Sequence, residues 1–186
     1  MKLVVLDRDG VINEACEGVI KSADDFVPIE GSYEAISTLC QHDYRVVVIT
    51  NQSGIARGLV TIDEVNALHE RMHQSVASHG GRVDAILLCP HKPDDGCNCR
   101  KPRPGMLHDL MERLDIELNG VPLVGDSLRD VQTAMVVGAT PVLVKTGHGE
   151  RTIEENKHLD NVEVFENLQE FVEQLIASEE EELSSK

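Results

Sequence analysis

The feature that most constrains this chain is a rhythm in which short aliphatic runs alternate with longer stretches of helical periodicity. The runs are Leu3–Leu6, Val46–Ile49, Val83–Leu88, Val121–Val124 and Pro141–Val144, with Val162–Phe165 as a sixth candidate. They are too short for buried helices, and most read as strands covered on both faces. Between them, residues 32–42 carry apolar positions at helical spacing, and Thr61 with Glu64 forms a capping-box pattern ahead of a helix to about residue 79. Further helices are expected from Pro104 to 114, over 128–137 before Gly138, and over 168–176. Strands alternating with helices require a parallel sheet with right-handed crossovers. The expected fold is therefore α/β, a doubly wound parallel sheet of Rossmann-like type. Residues 1–177 are expected to form one domain, with an acidic, disordered tail over 178–186 around the run Glu179 to Glu182.

Charge and cysteine usage narrow the partners. The 186 residues include 33 acidic against 17 basic ones, for a formal net charge of −16, which argues against nucleic acid or an anionic membrane as partner. The apolar run before Asp7 is only four residues long, so neither a signal peptide nor a membrane span is expected. Five cysteines, an odd number, argue against a disulfide framework. The expectation is a soluble, cytoplasmic protein, and a monomer.

Polar groups collect where the runs end. The first run stops at Asp7 and Asp9, with Gly10 freeing the backbone to turn, and the glycine-rich dinucleotide fingerprint is absent there. The second run ends in Thr50, Asn51, Gln52 and Ser53, and the fourth in Asp126 with Asp130 one helical turn later. Between them, Arg100, Lys101 and Arg103 place three cations within four residues. A phosphate monoester is a stable dianion that water attacks very slowly. A carboxylate nucleophile divides its hydrolysis into two easier steps, and a divalent cation lets two anions meet; Mg²⁺ suits a site of few carboxylates, water and phosphate oxygens.

A second cluster has a different chemistry. Cys89, His91, Cys97 and Cys99 form C-x-H-x5-C-x-C within a loop of Pro, Asp and Gly. Three thiols and one imidazole make a complete structural zinc set, leaving no coordination position open for catalysis. The loop runs directly into Arg100 and Lys101, so zinc would stiffen the segment that presents those cations.

These strand ends, in this order, resemble the four motifs of haloacid dehalogenase (HAD) superfamily phosphatases. The resemblance implies Asp7 as nucleophile and Asp9 as general acid and then base, with Thr50 and Lys101 stabilising the phosphoryl oxygens. It also implies Asp7, Asp9 (through its carbonyl) and Asp126 as Mg²⁺ ligands, with Asp130 behind Asp126. No large cap domain is encoded, so residues 13–20 are the expected rim, a small flap. The zinc loop running into Cys99-Arg100-Lys101-Pro102 resembles both the D-glycero-D-manno-heptose-1,7-bisphosphate 7-phosphatases and the histidinol-phosphate phosphatases, and the run Thr50 to Gly58 with the stretch Arg103 to Met106 resembles the heptose group. That resemblance implies hydrolysis of the 7-phosphate of a heptose bisphosphate in ADP-heptose (lipopolysaccharide core) precursor synthesis. Asn51, Gln52 and Ser53 would then face sugar hydroxyls. Arg100, Arg103, Arg57 and Lys145 are candidates for the distal phosphate, with Arg57 and Arg100 foremost. Three other readings are a histidinol-phosphate phosphatase, a non-catalytic zinc-stabilised binding module, and a phosphoacceptor that keeps its aspartyl-phosphate. A base at Asp9, two residues after the nucleophile, argues against the last.

Overall fold

β1 (Lys2–Leu6) buries four consecutive aliphatic side chains, and alternate ones enter different cores. Val4 and Leu6 belong to one apolar cluster, Leu3 and Val5 to another. A strand dry on both faces must lie inside a sheet covered on both sides. β1 does so, pairing in parallel with β2 (Tyr44–Asn51) on one side and β4 (Pro122–Gly125) on the other. The remaining strands are β3 (Ala85–Cys89), β5 (Thr140–Val144) and β6 (Glu163–Phe165). Among the described residues the sheet has six strands in the order β3-β2-β1-β4-β5-β6, and every pairing is parallel. The structure, a computed structural model, describes residues 1–16, 18–156, 159 and 161–184, with residues 23, 182 and 183 described by backbone alone. Residue 17 of the expected rim and residues 185 and 186 of the expected tail lie outside the described residues.

Helices close both faces. α1 (Ser32–Gln41), α2 (Ile62–Ser78) and α6 (Leu168–Ser184) set Ile36, Leu68, Met72 and Val172 against Val4 and Leu6. α3 (Gly105–Leu114) and α4 (Leu128–Val136) set Leu107, Leu110 and Ala134 against Leu3 and Val5. Each fully buried Leu or Ile contributes roughly 1.5–3 kcal/mol through removal from water. The segment after β1 folds back as a flap: Asn13 bridges to both Asp9 and Pro28, and Ile20 and Phe26 are buried in the first core. No helix among the described residues is long and apolar enough to cross a membrane.

Three differences from the sequence expectations have local causes. β2 extends beyond Val46–Ile49 at both ends, because Tyr44 pairs with Lys2, and Thr50 and Asn51 pair with Leu88 and Cys89. A short helix, α5 (Gly149–Glu155), follows β5 where none was expected. α6 continues past the expected end at Ile176 to Ser184, so the stretch expected as a disordered tail begins inside a helix. Its extension brings Glu179 to accept hydrogen bonds from Tyr44 Oη at 2.7 Å and Lys2 Nζ at 2.8 Å. Tyr44→Phe, which removes only the hydroxyl, should therefore lower stability by about 1 kcal/mol in denaturant unfolding. An unchanged midpoint would mean that this part of α6 is not held against the sheet.

Candidate active site

In an open parallel sheet ligands collect at the carboxyl ends of the strands where the strand order reverses. Here the reversal falls between β1 and β4, and Asp7, Thr50 and Asp126 lie at the ends of three adjacent strands. Asp7 accepts the Arg8 backbone N–H at Oδ1 (2.7 Å), and its Oδ2 lies 2.8 Å from Lys101 Nζ. Lys101 is 3% exposed and also reaches Asp130 Oδ1 at 2.5 Å. Asp130 is itself fixed as the capping-box acid of α4, its Oδ2 accepting from the backbone and hydroxyl of the N-cap residue Ser127. Asp126 Oδ2 accepts the His148 N–H at 2.8 Å, and its carbonyl accepts from Thr152 Oγ1 at 2.9 Å. Two glycines let the backbone close around this carboxylate. A Cβ at Gly10 (φ +84°) or Gly147 (φ +61°) would lie 2.1 or 2.3 Å from Asp126 Oδ2.

Oxygen atoms of Asp7, Asp126 and Asp130 all lie within 4.8 Å of one another. Burial, and then Asp130, push the Asp126 carboxyl up to about 6. Burial also raises Asp7 well above the usual carboxylate range, against the pull of Lys101 and with the help of Asp130 and Asp126. Carboxylates this close demand a cation, and an all-oxygen donor set suits Mg²⁺. Asp130 is fully buried and does not line the pocket, whereas Asp7 and Asp126 do, so these two are the carboxylates that could hold the ion directly.

Asp9 is held differently. Arg8 meets it with Nη2 at 2.8 and 3.0 Å and Nε at 3.2 Å, Asn13 Nδ2 donates at 2.9 Å and Gln52 Nε2 at 2.9 Å. Burial works to raise its pKa, but Arg8 and these hydrogen bonds prevail and keep it lowered. Gln52 also donates to Thr50 Oγ1 at 2.8 Å, so the threonine proton is left free for an oxygen in the pocket.

The sequence-selected residues divide into two sets. Asp7, Asp9, Thr50, Lys101, Asp126 and Arg100 line one pocket, together with Asn51, Gln52 and Ser53. Its rim is the flap, through Cys16, Val19 and Ile20. Asn51 and Gln52 were expected to face sugar hydroxyls, but their amides are turned toward the protein. Asn51 brackets the Lys101 backbone, accepting its N–H at 3.1 Å and donating to its carbonyl at 3.2 Å, while Gln52 spans Asp9 and Thr50. Arg57, Arg103 and Lys145 are not among the pocket-lining residues: Arg57 is exposed, Arg103 donates to the Cys97 carbonyl and Lys145 pairs with Glu166. Sequence reasoning missed His148 and Thr152, which orient Asp126, and Arg8 and Asn13, which grip Asp9. The pair Gly147 and Gly149 around His148 was the available signal for the first two, since it marks a tight turn after a strand.

The second cluster assembles as its spacing suggested. Cys89 Sγ lies 3.7 Å from Cys97 Sγ, 3.2 Å from Cys99 Sγ and 3.6 Å from His91 Nδ1, and all four ligand atoms fall within 4.8 Å of one another. Tetrahedral zinc places its ligand atoms about 3.5–3.8 Å apart. The residues therefore fit Zn²⁺ with no position left over. Burial pushes the Cys89 thiol up to about 12, so a thiolate there needs a cation. The loop is tied to the active site by the Gln52 N–H on the Cys89 carbonyl and by Arg100 Nη1 on the His91 carbonyl. Carefully purified protein should contain one zinc per chain, and Cys97→Ser should lower both melting temperature and activity, with no recovery on adding Mg²⁺. Elemental analysis giving less than about half an equivalent of thiophilic metal would leave these residues as ordinary thiols.

Comparison with known proteins agrees with this geometry. A HAD-hydrolase-like family model matches residues 98–171. D-glycero-beta-D-manno-heptose-1,7-bisphosphate 7-phosphatase from Bordetella bronchiseptica is 50% identical over 176 residues, covering 95% of this chain and 98% of that protein. The enzyme of the same name from Pseudomonas putida is 53% identical over 154 residues, covering 83% and 88%. A crystal structure of the B. bronchiseptica D,D-heptose 1,7-bisphosphate phosphatase, complexed with magnesium and phosphate, superposes with a TM-score of 0.93 at 49% identity, covering 96% of this chain and 99% of that one. With half its residues identical along nearly the full length of both chains, and with the same fold, the protein belongs to the D-glycero-β-D-manno-heptose-1,7-bisphosphate 7-phosphatase family of HAD hydrolases.

Proposed function

We propose that the protein is a cytoplasmic, monomeric, Mg²⁺-dependent phosphatase. It removes the 7-phosphate of D-glycero-β-D-manno-heptose 1,7-bisphosphate, an ADP-heptose precursor, through an aspartyl-phosphate on Asp7. The observation that carries this reading is the placement of Asp7, 2.8 Å from a buried Lys101, at the floor of a pocket that also contains Asp9 and Thr50. Asp7 Oδ1 is tied by a backbone N–H and Oδ2 by the ammonium, so the nucleophile's direction is set before substrate arrives. Mg²⁺, held by Asp7, Asp126 and the Asp9 carbonyl, would offset the charge of the phosphate dianion as it meets the carboxylate.

Asp7 attacks phosphorus, forming one P–O bond as the ester P–O bond to the sugar breaks. Asp9 gives its proton to the departing sugar oxygen. Arg8 and the surrounding donors keep Asp9 ionised at rest, so the proton is taken up as the negative substrate enters beside it. Once the heptose 1-phosphate has left, the same carboxylate takes a proton from the water that attacks the aspartyl-phosphate. Lys101 and the free Thr50 hydroxyl proton face the phosphoryl oxygens, where charge develops in both steps. Among the described residues Arg100 is engaged by protein through Nη1 alone, and its remaining donors suit the distal phosphate at the pocket it lines. Ser53 also lines the pocket, where its hydroxyl suits a sugar hydroxyl.

Phosphate release from heptose 1,7-bisphosphate, fructose 1,6-bisphosphate and histidinol phosphate should rank the heptose first. Arg100→Ala should reduce kcat/KM for the heptose bisphosphate by about 10–100-fold more than for a small generic monoester, whereas Lys101→Ala should depress both alike. A ranking led by histidinol phosphate, or equal losses for both variants on both substrates, would overturn the assignment.

A further inference from the structure

Arg8 lies between the two active-site aspartates in the bend just past the end of β1, and although it borders the pocket it is only 1% exposed. A guanidinium has five N–H donors and no acceptor, and it is costly to bury unless those donors are met. Nε and Nη2 meet Asp9. Nη1 meets His69 Nε2 at 3.0 Å. Because arginine can only donate, His69 must accept at Nε2, which fixes its ring as neutral with the proton on Nδ1. Burial, and then the Arg8 charge, lower its pKa to about 4, in agreement with that state.

His69 is out of place by ordinary packing rules. It lies on the inward stripe of α2 with Val65, Leu68, Met72 and Val76, and it is 6% exposed in an otherwise aliphatic row. Leucine would fill that position with no polar group to satisfy. What histidine adds is one acceptor aimed at the far side of Arg8. Asn13 and Gln52 also grip Asp9, but both come from loops beside the pocket, and each shares its amide with a neighbouring backbone or hydroxyl oxygen. Arg8 alone among the three is anchored from behind by a helix of the core.

We propose that His69 is a positioning residue for proton transfer: through Arg8 it fixes where the Asp9 carboxyl lies relative to the leaving oxygen. The inference rests on the reading of Asp9 as the proton donor, and it names a residue outside the pocket that the reaction depends on.

Leaving groups separate this role from a structural one. kcat/KM covers the steps up to aspartyl-phosphate formation, and only there does the donor assist the departing oxygen. A sugar alkoxide needs that proton, whereas dinitrophenolate departs without it. His69→Leu should lower kcat/KM for heptose 1,7-bisphosphate about tenfold or more beyond any loss on 2,4-dinitrophenyl phosphate, within the range that general acid catalysis supplies. His69→Gln, whose amide oxygen can occupy the Nε2 position, should recover most of the difference. Equal losses on both substrates, or none, in folded His69→Leu would overturn the proposal and leave His69 a packing residue. If the leucine variant does not fold, Arg8→Lys keeps a buried charge but loses the fork, and should give the same substrate-dependent loss; an even loss there would overturn the proposal too. Asp9→Asn is the control: if it shows no leaving-group dependence, the donor reading of Asp9 fails. If it does and the His69 variants do not, only the present inference fails.

Discussion

One ammonium group between two carboxylates holds this site together. Lys101 Nζ, almost fully buried, lies between Asp7 and Asp130, and removing it would leave two carboxylates without a counter-charge in a dry place. Such an arrangement is weak evidence for stability but strong evidence for geometry, because each member fixes the others. Asp130 belongs to the first turn of α4, Asp7 to the end of β1, and Lys101 to the segment following the zinc loop. The ion cluster therefore ties together parts of the chain far apart in sequence, at the place where the strand order reverses.

The same cluster explains why a metal-binding loop lies beside a hydrolytic site. Lys101 must be delivered by a segment with no helix or strand of its own, and an irregular loop loses conformational entropy on ordering. Four zinc ligands supply that order. Asn51 then brackets the Lys101 backbone, and the Gln52 N–H on the Cys89 carbonyl docks the loop onto the end of β2. The zinc site and the catalytic pocket are thus two ends of one support. A small flap closes the pocket edge, with Val19 packed so near Gly54 that a Cβ there would come within 2.7 Å of its methyl.

The sheet, its order of elements and the charged strand ends were legible in the sequence because each has a local signal. Leu3 to Leu6 could only be a strand buried on both faces, and the Cys and His residues stand close enough in the chain to declare their own cluster. What the sequence withheld depends on contacts between distant elements. α5 is seven residues long with weak periodicity, and its place comes from His148 and Thr152 holding Asp126. The extension of α6 depends on Glu179 reaching β1 and β2, which a run of like charges does not reveal. Asn51 and Gln52 are polar residues at a strand end, and their type alone could not say whether they turn outward to a sugar or inward to Lys101 and Asp9. Arg8 was visible between two acids, but its partner His69 lies 61 residues away.

The central claim is that Asp7, aimed by Lys101, takes the phosphoryl group covalently before water does. Asp9→Asn should slow the second step while leaving the first open to a substrate that needs no proton. The direct measurement is an acid quench of this variant with 2,4-dinitrophenyl phosphate, followed by peptide mass mapping. The account predicts a burst of dinitrophenolate matched by a phosphoryl group on Asp7. A burst with no phosphoryl group on the protein, or with one on another residue, would contradict it.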